Sequence, residues 1–204
     1  MFSQIVELKN LTQSIFGGAP LYSLIPPEKE VVSGLPLINI KDIVEDQLNW
    51  RNLLIISLDE IRKPERFCVE PGDVLITCRG TQFKVAVVPG KISRGIITAN
   101  LIAIRPRPEQ LSPVYLAAYL RSKDGERELL ARRTSQTAQI VLSLSSVEEL
   151  RVPLPPLSVQ EKIARAIETL DEEYRLNQVA VELDRKIRSQ IIMDLLDPAS
   201  RRIT

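Results

Sequence analysis

The feature that most limits what this 204-residue chain can fold into is an uninterrupted helical run from Ser158 to Leu196. Ser158 and Glu161 read as a capping box that satisfies the first free amides, and Asp197-Pro198 stops the run. With a rise of 1.5 Å per residue, the helix reaches about 58 Å, longer than a compact domain of this size can hide. Ile163, Ile167, Leu170 and Tyr174 step by 4, 3 and 4, the spacing of a coiled-coil seam. Farther on, Asn177 and Asp184 fall on seam positions, while Leu176, Val179, Leu183, Ile187, Ile191 and Leu195 form a rotated stripe. A helix that touches its own domain first and a partner later accounts for the change of face.

Ahead of the helix the period shortens. Residues 1–34 read as irregular, punctuated by Gly17, Gly18, Pro20, Pro26, Pro27 and Gly34. Short strands are expected at Leu35 to Ile40, Leu53 to Ser57, Asp73 to Cys78, Phe83 to Val88 and near Ile96 to Ile104, with turns at Pro71-Gly72 and Pro89-Gly90. Ser112-Pro113 opens a helix through Leu120, as a Ser N-cap with Pro at the first helical position. A second helix is expected over Gly125 to Arg133, a polar loop over Thr134 to Gln139, a turn capped by Ser146 with Glu149, and an extended stretch over Arg151 to Leu157. The fold class expected is α+β: a curled, mostly antiparallel sheet with flanking short helices, followed by a long C-terminal coiled-coil helix. The corresponding divisions are 1–157, 158–196 and a tail at 197–204.

The chemistry available to the chain is narrow. Histidine is absent, which removes Ser-His-Asp and Cys-His catalysis, His-ligated zinc and the commonest general base. Cys68 and Cys78 are too few for an all-cysteine zinc site and read as reduced core thiols. Neither a Walker A loop nor a Gly-x-Gly-x-x-Gly pattern occurs, and Glu7-x-Lys9 and Asp184-x-Lys186 are minimal nuclease triplets without an upstream Pro-Asp. The expectation is no enzyme, no catalytic residue, no metal and no cofactor. The longest aliphatic runs have four residues, against about 20 for a membrane helix, so no membrane and a cytoplasmic location are expected.

Net charge is +1, from 27 Lys+Arg and 26 Asp+Glu, which as an average is unlike a nucleic-acid binder. Its distribution says more. Arg79, Lys84, Lys91, Arg94, Arg105 and Arg107 lie in a stretch with no Asp or Glu, whereas residues 158–196 hold 6 basic and 8 acidic side chains. Such cations could position a duplex through its phosphates, or form an ordinary solvated surface. Thr81, Gln82, Thr98, Asn100, Ser135, Gln136, Thr137 and Gln139 lie nearby and can read base edges. Trp50, the only tryptophan, reads as a core anchor by default, with an exposed contact residue as the alternative.

Taken in order, several segments resemble the DNA specificity subunits of type I restriction-modification systems. They are Leu35 to Ile43, Pro71 to Thr81 with its Gly-Asp-Val-Leu and Arg-Gly elements, Asn100-Leu101 with Ile104-Arg105-Pro106, the Pro113-Val114-Tyr115-Leu116 helix, and Leu150 to Gln160 followed by Lys162-Ile163-Ala164. The resemblance spans about residues 34–196. It implies a non-catalytic target recognition domain that reads one half of a bipartite site in double-stranded DNA. It also implies a long helix that pairs antiparallel and helps to dock a DNA adenine methyltransferase subunit, alongside a restriction/translocase subunit. Full specificity subunits resemble two such units in tandem and this chain holds one, so a homodimer, a different specificity subunit as partner, and a truncated remnant are all open. The seam expected to be buried in the dimer is Ile163, Ile167, Leu170, Tyr174, Leu183, Ile187 and Ile191. The residues expected to meet DNA are Arg79, Thr81, Gln82, Lys84, Lys91, Arg94, Asn100, Arg105, Arg107, Ser135, Gln136 and Thr137, chosen by charge and hydrogen-bonding capacity. A coiled-coil scaffold that binds protein through its sheet domain is the alternative reading.

Overall fold

The structure is a computed structural model that describes residues 4–21, 34–57, 61–134 and 140–196. Its strands in chain order are β1 (Gln4–Glu7), β2 (Thr12–Gly17), β3 (Leu35–Ile38), β4 (Ile43–Val44), β5 (Gln47–Leu48), β6 (Leu54–Ile56) and β7 (Cys68–Val69). There follow β8 (Val74–Thr77), β9 (Arg79–Gly80), β10 (Val85–Val87), β11 (Gly95–Ile97), β12 (Leu101–Pro106), β13 (Ile140–Val141) and β14 (Arg151–Leu154). The α-helices are α1 (Pro113–Arg121), α2 (Lys123–Ala131), α3 (Leu144–Glu148) and α4 (Leu157–Leu196). Compact units cover Met1–Ala164 and Arg165–Thr204, so the first two turns of α4 belong with the sheets.

The α+β expectation holds, but the sheet is split. An antiparallel sheet runs β10-β8-β12-β2, and a second runs β6-β3-β11-β7 with β3 and β11 parallel. Strands β8 and β12 are central and nearly all aliphatic because both their faces are covered. Val74, Ile76, Ile102 and Ile104 face a cluster completed by α1, α3, Val152 and Ile163. Leu75, Leu101 and Ala103 face the opposite way, into a cluster with Ile38, Val69 and Ile97 of the second sheet. One two-residue period thus serves two cores.

The N-terminal stretch read as irregular contains two strands. β2 forms one edge of the central sheet, from Ile102 opposite Gly17 to Arg105 opposite Ser14, and β1 pairs with β14, Gln4 opposite Leu154. Both partners lie far along the chain, so nothing local announces them. The expected single strand near 96–104 is instead β11 and β12, parted by a turn at Thr98–Asn100 in which the Leu101 amide donates to the Thr98 carbonyl at 2.9 Å.

Two caps are displaced from their expected residues. Ser112 caps α1, accepting from the Tyr115 amide at 3.4 Å. α3, however, is capped by Ser143, which accepts from the amide of Ser146 at 3.0 Å. α4 begins at Leu157, so Ser158 lies inside the first turn, and the Pro156 carbonyl takes the amides of Val159 and Gln160 at 2.8 and 3.1 Å. Gln160, wholly buried, replaces the capping box as the tie at this end. Its Oε1 accepts from the Ser112 amide at 2.9 Å, and its Nε2 donates to the carbonyls of Gln110 and Pro155 at 3.0 and 2.9 Å. Tyr115 and Tyr119 donate their hydroxyls to the carbonyls of Pro153 and Arg151, fixing β14 beside α1. Where α1 meets α2, a Cβ on Gly125 would strike the Tyr119 carbonyl, so only glycine permits the sharp junction. Cys68 and Cys78 are buried. Among the described residues no helix is long and apolar enough to cross a membrane.

Candidate nucleic-acid interface

The acid-free basic stretch does not fold into one surface. Arg105, on β12, is half-buried and fully engaged. Its Nε and Nη2 each lie 2.8 Å from the two carboxylate oxygens of Asp73, its Nη1 lies 3.5 Å from Glu70, and its guanidinium stands over the Phe16 ring at 5.7 Å. Asp73 is 1% exposed, so this is a bidentate pair that neutralises a buried carboxylate. The hydrogen bond to Asp73 is the main reason the guanidinium pKa lies above its ordinary value; burial opposes it, and the charges of Asp73 and Glu70 add to it. Arg107 closes the first β-turn region, donating its amide to the Leu11 carbonyl at 2.9 Å and its Nη1 to the Asn10 carbonyl at 3.2 Å. Lys84 points at backbone: its Nζ donates to the carbonyls of Ile43 at 2.6 Å and Ile40 at 3.4 Å.

Three of the expected cations are exposed. Arg79 sits on β9, paired antiparallel with β13 so that Gly80 faces Ile140 and Arg79 faces Val141. Thr81 and Gln82 follow it and are exposed, and the Gln82 carbonyl accepts from the Thr77 hydroxyl at 3.1 Å. Ser135, Gln136 and Thr137 lie outside the described residues, but the ends of that segment are placed. Ile140 stands opposite Gly80, and the Thr134 amide donates to the Val141 carbonyl at 2.9 Å. The Arg79–Gln82 turn and the ends of the polar loop are therefore brought to one ribbon, which spacing in the sequence did not reveal. Lys91 and Arg94 are exposed in the segment before β11; Arg94 Nη2 lies 3.5 Å from the Cys68 sulfur. Asn100 exposes its side chain while its carbonyl accepts from the Cys78 amide at 2.9 Å, whereas Thr98 is buried and donates its hydroxyl to Asn39 Oδ1 at 2.9 Å.

A second basic group was not anticipated. Trp50 is 37% exposed, and the Lys91 ammonium and the Arg51 guanidinium stand over its ring at 4.9 and 5.7 Å from the centroid. The default reading as a core anchor does not describe it. The Trp50-Arg51 dipeptide was visible in the sequence, but Lys91 is forty residues away and joins it only through the fold.

Cys78 and the two acid–lysine triplets have defined local surroundings. Burial is the largest influence on the Cys78 thiol and raises its pKa, with Arg79 opposing. Glu7 and Lys9 form an exposed ion pair at 2.7 Å, Asp184 pairs with Arg188 at 2.7 Å, and Lys186 with Glu182 at 3.8 Å. Among the described residues no three His, Cys, Asp or Glu side chains converge to hold a metal ion.

Along α4 the expected seam divides. Ile163 packs against the sheet unit's own core and Ala164 is buried, and Ile167 is half-buried. Leu170, Tyr174, Leu183, Ile187 and Ile191 are each 50–58% exposed, as are Leu176, Val179 and Val181. The polar side chains of this stretch are tied within the helix, Arg175 to Glu172 at 2.6 Å and Gln178 to the Tyr174 hydroxyl at 2.8 Å.

A half-exposed helix of aliphatic residues and a sheet unit with loop-borne cations define a binding subunit by their form. The comparison with known families gives that class its name. The type I restriction modification DNA specificity domain matches residues 3–182, and the chain belongs to this family. The chain is 26% identical over 149 residues to the EcoBI type I restriction enzyme specificity subunit of Escherichia coli, covering 73% of this chain and 31% of that protein. Two solved structures share the fold. The HsdS subunit from Thermoanaerobacter tengcongensis has a TM-score of 0.64 at 20% identity, with 96% of this chain and 49% of that one covered. The type I restriction-modification S subunit from M. genitalium has a TM-score of 0.62 at 17% identity, with 97% and 47% covered. The chain thus spans between 31% and 49% of the length of these relatives.

Proposed function

We propose that this chain is a non-catalytic specificity subunit of a type I restriction-modification system. Its sheet unit reads one half of a bipartite site in double-stranded DNA, and its long helix pairs with a second copy. The observation that carries the reading is the combination of family membership with an aliphatic helix that exposes half or more of its large side chains. Exposure on that scale is a docking surface, because each buried side chain of this size contributes about 1.5–3 kcal/mol.

An antiparallel orientation is what the family resemblance implies for this pair. Two-fold pairing of one recognition unit gives a palindromic split site. On the sheet unit, Arg79, Thr81, Gln82, Lys91, Arg94 and Asn100 are the side chains offered to DNA. Lys84, Arg105 and Arg107 are engaged instead with carbonyls and carboxylates of the sheet unit itself. Methylation and cleavage belong to the methyltransferase and restriction/translocase subunits.

The test is co-expression with the methyltransferase subunit in a host without other adenine methylation, followed by mapping of methylated adenines. A split palindromic motif is expected. Methylation without sequence preference, or none in a verified complex, overturns the reading.

A further inference from the structure

Several cations of the sheet unit already have an anionic or carbonyl partner. Arg105 has Asp73 and Glu70, Arg132 has Glu149 at 2.6 Å and Glu128 at 3.4 Å, Lys9 has Glu7, and Lys84 has two carbonyls. Arg51 and Lys91 differ. Both are exposed, and among the described residues neither is in an ion pair; what holds them is the face of Trp50. Two like charges gathered over one indole repel each other, and each ring contact is worth only about 0.5–1 kcal/mol at an exposed site. An arrangement of this kind is completed by an anion that meets both cations.

The backbone beneath is braced to hold the ring in place. The β4–β5 hairpin sets Ile43 opposite Leu48 and turns through Glu45 and Asp46, both in the left-handed region at φ 48° and 62°. Its base is closed by the Asn49 amide donating to the Asp42 carbonyl at 2.8 Å, and Trp50 follows at once. Lys84 clamps the same base through the Ile40 and Ile43 carbonyls. Glu45 and Asp46 are at the opposite end of the hairpin, at its turn, and Asp42, at its base, has its carboxylate engaged by the Asn39 amide at 2.8 Å.

We infer that Trp50, Arg51 and Lys91 form a clamp for the phosphate backbone of duplex DNA, with Trp50 and Lys84 as positioning residues rather than contacts. The inference rests on the DNA-binding reading above and adds to it a backbone-gripping site that the charge pattern alone did not disclose. Phosphate suits it better than a base edge. Both cations stand over the indole ring, and cationic side chains that meet phosphates position a duplex without reading its sequence.

The experiment is fluorescence anisotropy of a labelled, mixed-sequence DNA duplex with the full chain, measured across a series of salt concentrations. Arg51→Ala and Lys91→Ala are each expected to flatten the slope of log affinity against log salt by about 0.9, the loss of one phosphate contact. Trp50→Ala is expected to flatten it as well although it removes no charge, and Trp50→Phe to restore it. All four variants are read against an unchanged melting temperature, and Arg51 and Lys91 are exposed enough for their variants to fold. Wild-type binding with an unaltered slope in both Arg51→Ala and Lys91→Ala overturns the clamp alone. Absence of salt-dependent binding by the wild-type chain removes the clamp together with the DNA-binding reading. Unchanged DNA binding combined with lost association with the methyltransferase subunit overturns the clamp in favour of a protein contact.

Discussion

The two units dispose of their aliphatic side chains in opposite ways. In Met1–Ala164, residues such as Leu8, Ile38, Leu75, Ile96 and Leu111 are under 2% exposed, and the charged group that is buried, Asp73, is paired. In α4 beyond Ala164, Leu170, Leu183, Ile187 and Ile191 are as exposed as the charged residues beside them. The sheet unit has satisfied itself. The helix has its backbone satisfied and its apolar stripe not, and an isolated helix gains little from its surface ion pairs, about 0.3–0.5 kcal/mol each. The difference separates a part that has closed its own core from a part whose apolar stripe stays open.

Four variants press on that contrast. Asp73→Ala leaves the Arg105 guanidinium with the 3.5 Å contact to Glu70 and the 3.4 Å contact to the Cys68 carbonyl, and a loss of about 4 kcal/mol of sheet-unit stability is expected in chemical denaturation. Leu183→Asp with Ile187→Asp should leave the melting of the sheet unit unchanged. It should weaken self-association by about a hundredfold, some 3 kcal/mol, in sedimentation equilibrium. A chain whose association is insensitive to that double change pairs through some other surface. Gln160→Ala deprives the Ser112 amide and two carbonyls of their partner; about 2 kcal/mol should be lost, visible as a lowered melting temperature. Ser112→Ala removes only the α1 cap and should cost about 1 kcal/mol, with dimerisation intact.

The elements read from sequence and those missed differ in the range of their causes. α1, α2, α4, β3, β6, β8 and β10 were legible because caps, prolines and short aliphatic runs are local signals. β1 and β2 were not, because short polar-aliphatic segments become strands only by pairing with β14 and β12. Ser143 and Gln160 displaced the expected caps for the same reason. Several serines can cap a short turn, and only packing selects one. The basic stretch was the least reliable guide. Arg105 and Lys91 look alike in sequence, yet one faces Asp73 and the other faces Trp50.

By itself the sequence determined that this chain has no histidine chemistry, that short aliphatic strands build an α+β unit, and that a helix too long to be hidden follows them. Those are consequences of composition and short-range period, which need no partner to act. Only the tertiary structure decided which cations are free. The energy of a charge depends on what stands within a few ångströms of it, and for Arg51, Lys91 and Arg105 those neighbours come from distant parts of the chain.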